Sequence, residues 1–266
     1  MIMLEIKDSV AVITGGARGI GFAIAEYWVK QGGKVVIGDI LADLLQDAEK
    51  KLKAIGGEVA TVVCNVTKEE DCAKLADTAI EKFGKINMVV PSAGIIKDGM
   101  MVTPDKETGK VKSKMPLDQF KMVIDINITG VFLTIRECAE RMINNKCKGL
   151  ICLISSTGSL GTAGQINYSS TKAAVSVMPK VVTAEFMRRG LGGQIRCVAI
   201  APGYVNTDIL KNMDQGALTK IKADIPIGRL VEPEEIAELA GALYRNEAMA
   251  AEVFFISGGL RLGSRG

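Results

Sequence analysis

A short apolar run at residues 10–13 leads directly into Thr14-Gly15-Gly16-Ala17-Arg18-Gly19-Ile20-Gly21. Apolar residues at helical spacing follow, Phe22, Ile24, Ala25 and Trp28, and the pattern stops at Gly32-Gly33. Strand, glycine turn and helix in that order confine the fold: a turn this tight needs residues without side chains, and the helix must fold back on the strand it follows. The unit recurs along the chain. Strand-sized apolar runs fall at residues 34–38, 59–63, 86–90, 150–154, 195–200 and 253–256, and helical patterns at 41–55, from Thr67 to near Gly84, from about 116 to 144, around Tyr168, and from about Pro233. Thr67 with Glu70 three residues later reads as a capping box for the third helix. Strands that alternate with helices call for one parallel sheet of about seven strands with helices on both faces, a doubly wound α/β fold. No repeat or linker divides the chain, so residues 1–266 are expected to form one domain.

Two stretches break the alternation. Residues 97–116 form a polar excursion, with a hairpin turn expected at Thr108-Gly109. Residues 206–229 are irregular, carry Met213 and Leu218, and have the character of a substrate lid.

Composition excludes several chemistries. The chain has no histidine, which removes Ser-His-Asp and Cys-His triads and His-ligated metals. Its six cysteines, at 64, 72, 138, 147, 152 and 197, show no CxxC and no metal or disulfide spacing, so no metal site is expected and the thiols read as reduced core residues. A net charge of +3 and 5% aromatics suggest no nucleic-acid partner. Apolar runs of strand length suggest no membrane span, the residues from Met1 show no charged segment leading into an apolar core of a signal peptide, and a cytoplasmic location is expected. The base that remains is a phenol. Tyr168 and Lys172 stand four apart, on one face of a helix, and an ammonium beside the hydroxyl favours phenolate, so Tyr168 can act as an acid or base below its usual pKa.

The amides at the start of the first helix form an anion site, and the glycines let a diphosphate approach the main chain, although glycines there also serve a plain tight turn. Asp39 closes the second strand, where its carboxylate suits the two hydroxyls of a ribose and repels a 2′-phosphate, which favours NAD over NADP. Asp39 also fits a helix cap, and Arg18 is the one residue that argues for a 2′-phosphate.

Together, Thr14-Gly15-x-x-x-Gly19-x-Gly21, Asn127 in Asn-Ile-Thr-Gly-Val-Phe, Ser155 thirteen residues before Tyr168, Tyr168-x-x-x-Lys172, and Pro202-Gly203 with Thr207 resemble the successive signatures of the short-chain dehydrogenase/reductase family. The resemblance spans most of the chain in the right order. It implies a Rossmann-type sheet, an oxidoreductase acting on a ketone or secondary alcohol, and a nicotinamide cofactor. Carried over, Tyr168 is the acid/base, Ser155 hydrogen-bonds the substrate oxygen, Lys172 lowers the pKa of Tyr168 and holds the ribose, and Asn127 anchors a water in a proton relay. Gly15, Arg18, Gly19, Ile20, Gly21, Asp39, Ile40, Asn65, Val66, Ala93 and Gly94 would hold the adenosine and diphosphate end. Pro202, Gly203, Val205 and Thr207, with Tyr168 and Lys172, would seat the nicotinamide end. Two positions depart from the family pattern: Pro91-Ser92 replace an Asn-Asn pair that braces the sheet, and Asn65 replaces an Asp.

The excursion, Pro179 inside the Tyr168 helix and the ending from Glu252 to Arg261 are similar to 3-hydroxyacyl-CoA dehydrogenases and 3-oxoacyl-thioester reductases. They imply a CoA or acyl-carrier thioester as substrate, with Lys97, Lys106, Lys110 and Lys112 available to its phosphates. Dehydrogenation of a cyclic or aryl alcohol, a sugar or a polyol is the enzymatic alternative, and a non-catalytic nucleotide-binding scaffold the remoter one. The family resemblance also implies a homotetramer or homodimer. Val175, Met178, Val182 and Phe186 fit either that interface or the core.

Overall fold

The computed structural model describes residues 4–211 and 214–260; Met213 and Arg261 lie outside the described residues. Seven parallel strands form one sheet: β1 (Val10–Thr14), β2 (Lys34–Asp39), β3 (Val59–Val63), β4 (Met88–Pro91), β7 (Gly149–Ile154), β8 (Ile195–Pro202) and β9 (Val253–Ile256). Their order is β3-β2-β1-β4-β7-β8-β9. The chain winds outward from β1 to β3, then crosses to β4 and winds outward the other way, so the connections leaving β1 and β4 diverge and open a crevice at the carboxyl ends of the strands. The excursion is a separate antiparallel hairpin, β5 (Val102–Pro104) and β6 (Val111–Lys114). Asp105 organises its turn by accepting from Glu107 N, Thr108 N and Thr108 Oγ1, and Gly109 takes a φ of +66°. The helices are α1 (Gly19–Lys30), α2 (Ala42–Ala54), α3 (Glu69–Phe83), α4 (Leu117–Ile124), α5 (Gly130–Asn144), α6 (Ile166–Arg188), α7 (Asp208–Lys211), α8 (Gln215–Ala223) and α9 (Pro233–Arg245).

The period-two pleat divides the core into two layers. Ala11, Ile13, Val35 and Ile37 face α1, α2 and α9 through Ile24, Trp28, Leu52 and Tyr244. Val10, Val12, Val36 and Val89 face α3, α5 and α6 through Leu75, Cys138, Met142 and Val175. Trp28 meets Tyr244 edge-on at 4.8 Å between centroids, and its Nε1 donates to Ser9 Oγ at 2.9 Å. Met178, Val182 and Phe186 pack against the second layer, which assigns them with Val175 to the core. The outward side of α6 carries Val177 and Val181 instead. All six cysteines are unpaired and buried. Among the described residues no helix is long and apolar enough to cross a membrane.

Four local expectations change. The helix expected over 116–144 is α4 and α5 joined by a π-helical segment, Asp125–Thr129, in which Gly130 N donates to Asp125 O five residues back. The third helix starts at Glu69 without a side-chain cap, because Thr67 gives both its N–H and its hydroxyl to Asn65 Oδ1 at 3.1 and 2.8 Å instead of reaching into the helix. β8 runs two residues past its expected end, since Gly203 N continues the ladder to Ile256 O. The irregular stretch at 206–229 contains two short helices, α7 and α8; Asp214 caps the second by accepting from Ala217 N.

Candidate active site

The cleft starts at the glycine turn. A Cβ on Gly21 would overlap the carbonyl oxygen of Gly15, so only glycine allows α1 to start this close to its strand. Gly19 sits at φ +57°, with the Thr207 methyl 3.5 Å from where its Cβ would be, which brings the loop after β8 against the turn. Arg18 makes no side-chain cap and α1 has no acid in its first turn, so the amides around Gly19, Ile20 and Gly21 are left for an anion. Asp39 accepts from Ala17 N at 3.3 Å and from Leu41 N at 3.1 Å, so its carboxylate borders both the turn and the start of α2. Beyond it, exposed Ile40 and half-buried Asn65 face Met122, Asp125 and Ile126 across a groove. Asn65 Oδ1 is committed to Thr67, which leaves its amide N–H₂ as the group able to meet an adenine. Val66 is buried beneath it. The sheet bracing lost with Pro91-Ser92 is partly supplied by Thr14, whose carbonyl accepts from Ser92 N and whose hydroxyl accepts from Ala93 N at 3.4 Å. These uncapped amides, the carboxylate and the groove together fit a dinucleotide.

Across the crevice, Tyr168 and Lys172 lie on α6. Lys172 is 7% exposed, and its Nζ donates to Ile154 O at 2.8 Å and stands 5.7 Å from the Tyr168 ring centroid. Burial lowers its pKa to about 8. Tyr168 is raised, first by burial and also by the charge of Asp98, against a lowering hydrogen bond from Ser156. The expected depression of Tyr168 is therefore not the net direction here, because burial is the largest cause and raises it. Gly94 belongs to the same cluster, since a Cβ there would lie 3.3 Å from Asn127 Oδ1 and 3.8 Å from Lys172 Nζ.

The two serines at the end of β7 point differently. Ser155 is the last residue of the ladder, with its N–H on Ile200 O, and its side chain stays on the face of Ile151 and Leu153, toward α6. Its hydroxyl donates to Lys172 O at 2.9 Å and pairs with Ser176 Oγ at 2.7 Å, both on α6. Ser156, which thirteen-residue spacing overlooks, carries the hydroxyl beside Tyr168. A Cβ on Gly158 would lie 3.2 Å from Tyr168 Cε1, 3.3 Å from Ser156 Oγ and 3.4 Å from Gln165 Oε1, so these three groups converge on one point. The pleat was the available signal: odd residues of β7 and Ser155 after it face α6, and Ser156, the next hydroxyl, is the one free to turn over the end of the strand.

Asn127 is wholly buried in the π-helical segment. Its Oδ1 accepts from Ile95 N, and its Nδ2 donates to Ile95 O and Thr171 Oγ1. A water held by Asn127 would therefore have to use the main chain, which a π turn frees from regular pairing.

Pro202 ends β8, Gly203 follows it, and Val205 bridges to Val231. The β5–β6 hairpin borders the same cleft: Gly99 N donates to Gly164 O at 2.8 Å in the loop before Tyr168, and Met115 N to Met101 O at 3.0 Å. The hairpin residues Val111, Lys112, Ser113 and Lys114 are all exposed, as are Met100 and Met101.

A family model described as short chain dehydrogenase matches residues 9–217. A 3-oxoacyl-[acyl-carrier-protein] reductase of Synechocystis sp. is 32% identical over 262 residues, covering 97% of this chain and 99% of the relative. The 3-hydroxyacyl-CoA dehydrogenase type-2 of Drosophila melanogaster is 34% identical over 264 residues, with the same coverage of 97% and 99%. A crystal structure of a short-chain type dehydrogenase/reductase from Mycobacterium marinum superposes with a TM-score of 0.81 at 26% identity, covering 96% of each chain.

Proposed function

This chain belongs to the short-chain dehydrogenase family and is an oxidoreductase of CH–OH groups that uses a nicotinamide cofactor, and from that premise we propose that it interconverts a 3-oxoacyl and a 3-hydroxyacyl thioester with NAD(H). The observation that carries the substrate class is the hairpin beside the cleft, where exposed methionines adjoin Lys106, Lys110, Lys112 and Lys114, a combination suited to an acyl chain and to carrier phosphates. Both relatives named above act on such thioesters. NAD is favoured because Asp39 sets a carboxylate where a 2′-phosphate would have to lie.

A nicotinamide seated by Pro202, Gly203, Val205 and Thr207 would supply or take the hydride. In reduction, Tyr168 gives its proton to the substrate oxygen as negative charge develops there, and the Ser156 hydroxyl donates to the same oxygen. Ser155 holds the backbone of α6 at Lys172, so its part is support. Lys172 holds the ribose and, while charged, favours the phenolate that Tyr168 becomes. The main-chain carbonyl at Asn127 continues the proton path to solvent. Apolar Phe132, Val177 and Val181, exposed on α5 and α6, suit burial by a second copy in a homodimer or homotetramer. Six unpaired thiols agree with the cytoplasm.

The test follows NADH absorbance with acetoacetyl-CoA, cyclic ketones and sugars in parallel. Acetoacetyl-CoA should give the highest kcat/KM, and NADH should exceed NADPH. Turnover confined to cyclic or sugar substrates would replace the thioester reading, and better use of NADPH would remove the role given to Asp39.

A further inference from the structure

Between β3 and α3 the side chain of Asn65 is held in one orientation. Its own N–H donates to Asp71 Oδ2 at 2.9 Å and its carbonyl accepts from Lys68 N at 2.9 Å, which fixes the main chain on both sides of the residue. Its Oδ1 accepts from Thr67 N at 3.1 Å and from Thr67 Oγ1 at 2.8 Å. A backbone N–H only donates, so the atom facing Thr67 N is the amide oxygen, and two donors occupy both of its lone pairs. The N–H₂ has no acceptor among the described residues, and Asn65 lines the groove opposite Met122 and Ile126. What this residue offers the groove is a donor.

We propose that Asn65 sets the base specificity of the cofactor site: it reads acceptor atoms, so the chain binds the hypoxanthine form of the dinucleotide about as well as the adenine form. The inference rests on the dinucleotide reading of the cleft. Adenine carries a 6-amino donor beside the N7 acceptor; hypoxanthine carries a 6-oxygen acceptor beside the same N7. The Asn65 N–H₂ can meet N7 of either base and the 6-oxygen of the second, but it cannot accept from a 6-amino group. A carboxylate, which the family pattern has at this position, only accepts and would prefer adenine. Exposed Ile40 and Met122 offer apolar contact to the ring faces, which the two bases share, and Lys121 adds a second donor to the groove. The remaining side-chain acceptors that line it, Thr67, Asp118 and Asp125, belong to exposed residues, where water competes for them.

The test compares Kd for NADH and for reduced nicotinamide hypoxanthine dinucleotide by dihydronicotinamide fluorescence, which needs no substrate. In the wild-type protein the two values should agree within about threefold. Asn65→Asp keeps an oxygen for Thr67 and turns an acceptor into the groove, so the hypoxanthine form should bind about ten- to a hundredfold more weakly than the adenine form. Asp118→Asn and Asp125→Asn should leave the wild-type ratio unchanged. A wild-type preference for adenine of about tenfold or more, an unchanged ratio in Asn65→Asp, or a ratio that moves in Asp118→Asn or Asp125→Asn instead, would overturn the proposal. The wild-type ratio decides the matter even if Asn65→Asp fails to fold. Should only 2′-phosphorylated cofactors bind, the role given to Asp39 fails, and the same ratio measured with the 2′-phosphorylated pair still tests Asn65.

Discussion

At the carboxyl ends of β1 and β2 the cleft is made of main chain: uncapped amides at Gly19–Gly21, the Ala17 and Leu41 amides on Asp39, and glycines with no room for a Cβ. Past β7 and β8 it is made of side chains on loops, with Ser156, Gln165 and Tyr168 meeting around Gly158 and a hairpin whose strands are almost wholly exposed. Backbone groups cannot be exchanged by mutation, while side chains can. The first end is therefore built for one invariant ligand and the second for a substrate that differs among relatives.

The sharpest way to break the contrast is at Gly21. Gly21→Val drives a branched side chain into the Gly15 carbonyl, and we expect about 3 kcal/mol of lost stability by urea denaturation with roughly hundredfold weaker NADH binding by fluorescence. Near-normal values for both would mean that the turn yields as readily as a loop. Next come the serines. Ser156→Ala should lower kcat about a hundredfold with folding intact, whereas Ser155→Ala should leave kcat within a few-fold and cost about 1 kcal/mol of stability, because Ser176 loses its partner. The opposite ranking would return the oxygen-binding role to Ser155. The mildest change is at the hairpin: Lys112→Glu with Lys114→Glu should raise KM for acetoacetyl-CoA by about three- to tenfold at low salt, leave KM for the N-acetylcysteamine thioester of the same acyl group unchanged, and shift stability by less than about 0.5 kcal/mol. Equal changes for both thioesters would argue against phosphate contact.

The same division governs what the sequence discloses. The β1–turn–α1 unit, the alternation behind the seven-strand sheet, the hairpin turn at Gly109 and the Tyr168–Lys172 pair are local patterns, and each has a period or spacing that can be counted. That the Ser156 hydroxyl lies beside Tyr168 was hidden, because counting back from Tyr168 gives spacing along the chain, not the face of the pleat on which a hydroxyl emerges. The capping box at Thr67 failed to a competitor two residues away: Asn65 takes the Thr67 hydroxyl, a choice a propensity rule does not weigh.

The π-helical segment at Asp125–Thr129 also has a geometric consequence. A π turn carries one residue more than an α turn, which advances everything beyond it by about 100° around the axis. Residues 117–144 are thus two helices out of phase on one continuous rod. α4 offers Met122 to the adenine-side groove, while α5 offers Cys138 and Met142 to the core and leaves Phe132 outward. A single helical wheel drawn through the stretch would merge these faces. Removing one residue from the turn would bring the two halves back into phase, aiming one face correctly only by rotating the other away from its partner.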